Sequence, residues 1–141
     1  MVATSHDVMP DIELYQPTDE DNALALANTL GIDGWILAGG QDTFGWLKDR
    51  NKAPSAMIEL TQIDAWKGIK ETADGVEIGA VTSLTEIANN PIIQARYGVL
   101  AQAAGIVASP QIRNVGTLGG NLNQVARRWY YRRGYPPCAS A

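Results

Sequence analysis

Apolar positions along this chain switch between two periods, and each switch marks an element. Glu13-Leu14-Tyr15 reads as a short strand. Pro17 is followed by Thr18 and Asp19, either of which can cap a helix with acids in its first turn. Ala23, Leu24, Leu26, Ala27 and Leu30 then recur at helical spacing, and Gly31 closes the run. Trp35 to Ala38 is a continuous apolar run, predicting a second strand that ends at Gly39-Gly40. Phe44 to Asp49 predicts a short helix and Ala56 to Leu60 a third strand. Strand, helix, strand in this order argues for a parallel unit with a right-handed crossover.

Beyond a turn at Ile63 to Trp66 the pattern changes. Gly68 to Glu71 and Val76 to Gly79 alternate apolar and polar across Ala73-Asp74-Gly75, a hairpin signal. Ser83 can cap a helix reaching Asn89, with Glu86 as its capping-box partner, and Pro91 starts another. Tyr97 to Ala104 is small and apolar, with Gly105 expected to end it. The predicted class is α/β (α+β). A small βαβ lobe spans residues 12–66, a second mixed or antiparallel lobe spans 67–141, and residues 1–11 read as a disordered lead-in.

Two glycine stretches stand out. Leu37-Ala38-Gly39-Gly40-Gln41-Asp42-Thr43 runs from a strand through a Gly-Gly turn toward a helix. Gly116-Thr117-Leu118-Gly119-Gly120-Asn121 follows Arg113 and Asn114. Glycine permits positive φ and lets a ligand approach the main chain, and successive N–H groups can cradle an anion. Such stretches suit a ligand with phosphates or a flat polar ring; a tight surface turn is the plainer reading. Neither stretch is the dinucleotide fingerprint G-x-G-x-x-G or a Walker A loop.

Charge adds an asymmetry that the net −4 conceals. All fifteen acidic residues lie at or before Glu86 with five of the eleven basic ones, a balance of −10; the rest of the chain has six arginines and no acid, +6. This suggests that the second half meets something anionic. Arg127-Arg128-Trp129-Tyr130-Tyr131-Arg132-Arg133 interleaves guanidinium and aromatic groups, as some single-strand binders do, but the net charge is negative and no nucleic acid is expected. The single cysteine, Cys138, excludes an internal disulfide. The single histidine, His6, leaves no His-based metal site or serine triad. No run approaches the ~18 apolar residues of a membrane span, and residues 1–11 do not read as a signal peptide. A cytoplasmic location is the default expectation, with periplasmic export alongside a partner as the other route.

Ala38-Gly39-Gly40-Gln41-Asp42, the segment Val76 to Ile87, and Ser109 to Leu122 come in an order and spacing that resembles the FAD-binding (medium) subunit of the molybdenum hydroxylases. That superfamily includes xanthine dehydrogenase, carbon monoxide dehydrogenase and aldehyde oxidoreductase. The tail from Gln124 to Arg132 is most similar to the bacterial aldehyde oxidoreductase branch. The resemblance implies a PCMH-type FAD-binding domain, apparently truncated, in which Leu37, Ala38, Gly39, Gly40, Gln41, Asp42 and Thr43 form one side of the FAD site. Gly116, Thr117, Leu118, Gly119, Gly120 and Asn121 form the other. Leu37 and Leu118 pack on the cofactor or serve as ordinary core. It implies a molybdopterin-binding large subunit and a small 2Fe–2S subunit as partners, with electrons passing through FAD to an external acceptor. No catalytic side chain and no metal are expected in this chain. Arg128 stands where the aldehyde branch usually has a cluster cysteine, so no iron–sulfur centre is expected either. The family's subunit is longer, and the alternative is a truncated docking subunit that binds no flavin.

Overall fold

A computed structural model describes residues 11–49 and 52–124. Residues 1–10 of the expected 1–11 lead-in, Arg50 and Asn51, and the tail from residue 125 with its arginines and Cys138 lie outside the described residues.

Three short strands, β1 (Glu13–Tyr15), β2 (Gly34–Leu37) and β3 (Ala56–Glu59), form a parallel sheet in the order β1-β3-β2. The last strand in sequence is therefore central, with Tyr15 and Ile36 both opposite Ile58. Its position explains its composition: Ala56, Met57 and Ile58 are all buried, as a strand covered on both faces must be. Helix α1 (Glu20–Leu30) connects β1 to β2. Asp19 caps it by accepting from the Asn22 N–H at 2.8 Å, and Gly31 ends it at φ 53°. Of the expected helical stripe only Ala23 is buried, while Leu24 is 51% exposed. Helix α2 (Thr43–Lys48) follows β2, and its Trp46 and Leu47 are buried. Leu37, Leu47 and Met57 form a small cluster with Ile12 and Trp35 against it.

The hairpin forms as β4 (Ile69–Thr72) and β5 (Gly75–Ile78), antiparallel, with Thr72 opposite Gly75. The two turn residues are thus Ala73 and Asp74, and none of Ala73, Asp74 and Gly75 has a positive φ. The Asp-Gly pair marks the hairpin without occupying the centre of a type I′ turn.

Helices α3 (Leu84–Asn89), α4 (Pro91–Arg96) and α5 (Gly98–Ile106) pack beside the hairpin. The capping box is complete: the Glu86 N–H donates to Ser83 Oγ, and the Ser83 N–H donates to Glu86 Oε2. Helix α5 runs through Gly105 to Ile106, so that glycine does not end it. Leu84, Ile87, Ile93, Ala101 and Ala104 form the second hydrophobic cluster, with Ile69, Val76 and Ile78 of the hairpin against it.

The stretch from Ser109 onward is not an open loop. It folds into two short helices, α6 (Pro110–Val115) and α7 (Leu118–Leu122), with Gly119 and Gly120 inside the second. Among the described residues no helix is long and apolar enough to cross a membrane.

Candidate functional site: two glycine stretches in backbone contact

The first stretch leaves the carboxyl end of β2, the edge at which parallel sheets usually present ligands. Gly40 adopts φ 71°, a left-handed conformation that a side chain would strain. The Phe44 N–H donates to the Gly40 carbonyl at 3.2 Å, and the Phe44 ring lies over Gly40. Two indoles hold the residues behind the turn. Trp35 Nε1–H donates to Thr43 Oγ1 at 3.1 Å, and Trp46 Nε1–H donates to Asp42 Oδ2 at 3.0 Å. Gln41 is exposed, and its side-chain amide donates to the Gly39 carbonyl at 3.3 Å. The N–H groups of Gly39, Gly40 and Gln41 donate to no described residue. Three consecutive donors around a left-handed residue are the arrangement that binds anions in backbone nests.

The second stretch is laced to the segment after the hairpin. The N–H groups of Leu84, Leu118 and Gly119 donate to the carbonyls of Gly116, Thr82 and Ala80 at 2.9, 2.9 and 2.7 Å. Ser83 and Thr117 thereby form an isolated antiparallel bridge. Thr117 is buried at 3% exposure and caps α7, its Oγ1 accepting from the Gly120 N–H at 3.1 Å. The Asn121 N–H donates to the Thr117 carbonyl at 2.9 Å. Main-chain donors from Leu118 to Asn121 are therefore already spent, and none of Gly116, Gly119 and Gly120 has positive φ. Their glycines answer to close approach instead: a Cβ on Gly119 would stand 2.9 Å from Ala80 O. Arg113 is also committed, donating through Nη1 to the carbonyls of Val107 and Ala108 at 2.8 and 3.3 Å. Leu37 belongs to the cluster with Leu47 and Met57, and Leu118 packs against the Leu84–Ile87 cluster.

The two stretches touch. A Cβ on Gly39 would fall 2.0 Å from the Val115 carbonyl oxygen and 2.9 Å from Gly116 Cα. A Cβ on Gly120 would stand 3.8 Å from the Ala38 Cβ. Glycines distant in sequence thus form one backbone surface, with the unspent donors on one flank and exposed Gly120 on the other. A wide concavity of about 540 Å³ lined by Asp11, Ile12, Glu13, Leu30, Ser55 and Ala56 lies at the opposite, amino-terminal end of the strands and takes no part in this surface.

The family described as the FAD binding domain in molybdopterin dehydrogenase matches residues 10–133. The chain belongs to this family. The carbon monoxide dehydrogenase medium chain of Hydrogenophaga pseudoflava is 38% identical over 115 residues, 82% of this chain and 40% of that one. The nicotinate dehydrogenase FAD-subunit of Eubacterium barkeri is 34% identical over 116 residues, 82% of this chain and 39% of that one. The solved structure of carbon monoxide dehydrogenase from Hydrogenophaga pseudoflava lacking the Mo-pyranopterin moiety superposes with a TM-score of 0.79 at 38% identity, covering 82% of this chain and 40% of that one. The chain spans about two fifths of the length of these relatives. FAD is the cofactor that goes with this domain, and the relatives are components of oxidoreductases.

Sequence reasoning missed Trp35, Trp46 and the Ala80–Ser83 support. The i, i+4 spacing of Asp42 and Trp46 was a usable signal for the second of these.

Proposed function

We propose that this chain is the flavin-holding part of the electron-transfer subunit of a molybdenum hydroxylase, of aldehyde or xanthine dehydrogenase type. Electrons would arrive from the iron–sulfur clusters of a small subunit, reduced in turn by a molybdopterin-binding large subunit, and leave to an external acceptor. The aldehyde branch is favoured by the resemblance of the Gln124–Arg132 tail. The observation that carries the reading is the contact of Gly39 with Val115, which sets the unspent donors of the first stretch beside the glycine backbone of the second.

When bound, the flavin supplies the redox chemistry; the protein orients and tunes it. The residues present fit an FAD. The N–H groups of Gly39, Gly40 and Gln41 would hold the pyrophosphate, neutralising charge without desolvating a cationic side chain. Exposed Gly120 would let the cofactor lie against main chain, while Gly119 allows the close approach of Ala80 that holds the stretch in place. Ala38, Asp42, Thr43, Gly116, Thr117 and Asn121 fix those two backbones. In this reading the lobe over 12–66 and the lobe over 67–141 each contribute one stretch. No side chain of this chain moves a proton in the reaction.

The test is the visible spectrum of the purified chain after incubation with FAD and desalting. A retained flavin spectrum near one equivalent is expected. A colourless protein would sink the flavin reading and favour a docking role without flavin.

A further inference from the structure

A lone exposed apolar side chain needs no explanation, but one laid against a turn of unspent main-chain donors is a different matter. Helix α2 buries Thr43, Trp46 and Leu47. Phe44 falls off that face and is 48% exposed. Its ring is nevertheless held against the turn: a Cβ on Gly40 would stand 3.0 Å from the ring's Cε2 and 3.4 Å from its Cδ2. Standard bond lengths and angles then keep the ring edge within about 5.5 Å of the Gly40 nitrogen. That nitrogen is one of the three donors that bond to no described residue.

The turn therefore has two flanks of different chemistry. On the Gly39 side a Cβ would meet the main chain of Val115 and Gly116. On the Gly40 side the nearest atoms are the side chains of Phe44 and Leu37. A dinucleotide leaves its pyrophosphate in two directions. Its isoalloxazine carries carbonyl and ring-nitrogen groups along one edge and suits exposed backbone such as that of Gly120. Its adenine offers a flat π-face, set beside the phosphates by the ribose, and suits an exposed aromatic ring.

We propose that the half-exposed ring of Phe44 is the platform on which the adenine of FAD stacks, so that this residue selects an adenine dinucleotide over a flavin mononucleotide. The inference rests on the flavin reading above. It goes beyond that reading in assigning a side chain to the adenosine half of the ligand.

The experiment is titration calorimetry of the full chain with FAD, ADP, FMN and inorganic pyrophosphate, for wild type, Phe44→Ala and Phe44→Tyr. ADP carries adenine and two phosphates without a flavin, FMN a flavin without adenine, and pyrophosphate reports the donors alone. Phe44→Ala is expected to bind ADP and FAD about five- to tenfold more weakly, the lower part of the range for a base stacked on an aromatic side chain, because the ring is only half exposed. FMN and pyrophosphate should change by less than about twofold, and Phe44→Tyr, which keeps an aromatic face, should stay within about twofold of wild type for all four ligands. A second measurement needs no substitution. Phe44 is the only phenylalanine of the chain, so isotope-labelled phenylalanine gives nuclear resonance signals from this ring alone. In the ADP complex those signals should show through-space contacts to the adenine protons.

An ADP affinity that Phe44→Ala leaves unchanged, a loss shared equally by pyrophosphate, or a loss seen with FMN but not with ADP overturns the proposal. So does an ADP-saturated chain whose Phe44 ring shows no contact to adenine, and that measurement decides should Phe44→Ala fail to fold by circular dichroism. Wild-type chain that binds neither FAD nor pyrophosphate refutes the flavin reading itself, and this inference with it. That outcome is distinct from wild-type binding of FAD with unaffected variants, which refutes only the role of Phe44.

Discussion

Gly39→Ala is the sharpest test of the backbone contact on which the site depends. The added methyl would sit 2.0 Å from the Val115 carbonyl oxygen, 2.7 Å from its carbon and 2.9 Å from Gly116 Cα. All three are main-chain atoms, so no side-chain rotation relieves the clash. A carbon and a carbonyl oxygen rest at about 3.3 Å, so the two stretches would have to part by ~1.3 Å. Overpacking of this kind costs about 1–3 kcal/mol where neighbours can adjust, and two backbones place this case near ~3 kcal/mol. With a urea m-value of ~2 kcal/mol/M, the unfolding midpoint should fall by ~1.5 M with m unchanged. Flavin retention should be lost under conditions where the variant is still folded. Gly105→Ala is the matched comparison. It lies inside α5, and its methyl would meet only Ala88 Cβ at 3.8 Å, an ordinary contact. Relief of glycine's backbone entropy should stabilise that variant by about 0.5–1 kcal/mol. A Gly39→Ala protein within ~0.5 kcal/mol of wild type would refute the contact, and with it the argument that the two stretches form one surface.

Thr117→Ala removes the hydroxyl that caps α7 from a buried position and should cost about 1–2 kcal/mol by urea unfolding, with Thr117→Ser recovering most of it. The Lys67 ammonium, hydrogen-bonded to Asp64 at 2.7 Å, holds that carboxyl below its ordinary 3.8. A depressed carboxylate stabilises the folded state above 3.8, and the contribution disappears as pH falls through the folded-state value. The pair is exposed, so the effect is small; Asp64→Asn should be slightly less stable than wild type at neutral pH and indistinguishable from it below that window.

The sequence revealed the elements best where one local rule decided them. Asp19 and Ser83 cap the helices their spacing predicts, and Ala56 to Glu59 forms the strand that a short apolar run implies. Local rules say nothing of strand order, which is why the central place of β3 emerges only when α1 and α2 pack. Leu24 fits the helical stripe yet is exposed, because periodicity describes a face and not what covers it. At the site, the two glycine stretches were legible as places where backbone is needed. Their reasons were not: Gly40 supplies a left-handed turn, while Gly39 and Gly119 make room for another segment's carbonyl. Arg113 looked like a cation available to a ligand, but the left-handed Ala108 (φ 44°) leaves neighbouring carbonyls in its reach. Such long-range pairings carry no signature in neighbouring letters.

The seat of Gly39 on Val115 also sets an order of events during synthesis. The first glycine turn emerges early, but its partner follows only after β3, the whole hairpin and helices α3 to α6 have been made. Closing so large a loop must be offset by contacts of the later segments, and non-local closure of this kind is slow. A nascent chain halted before Val115 therefore has the donors of the first turn but no opposite wall. With the flavin site proposed above, cofactor loading would belong to the end of folding rather than its beginning, and free flavin would act as a late ligand that traps the closed loop.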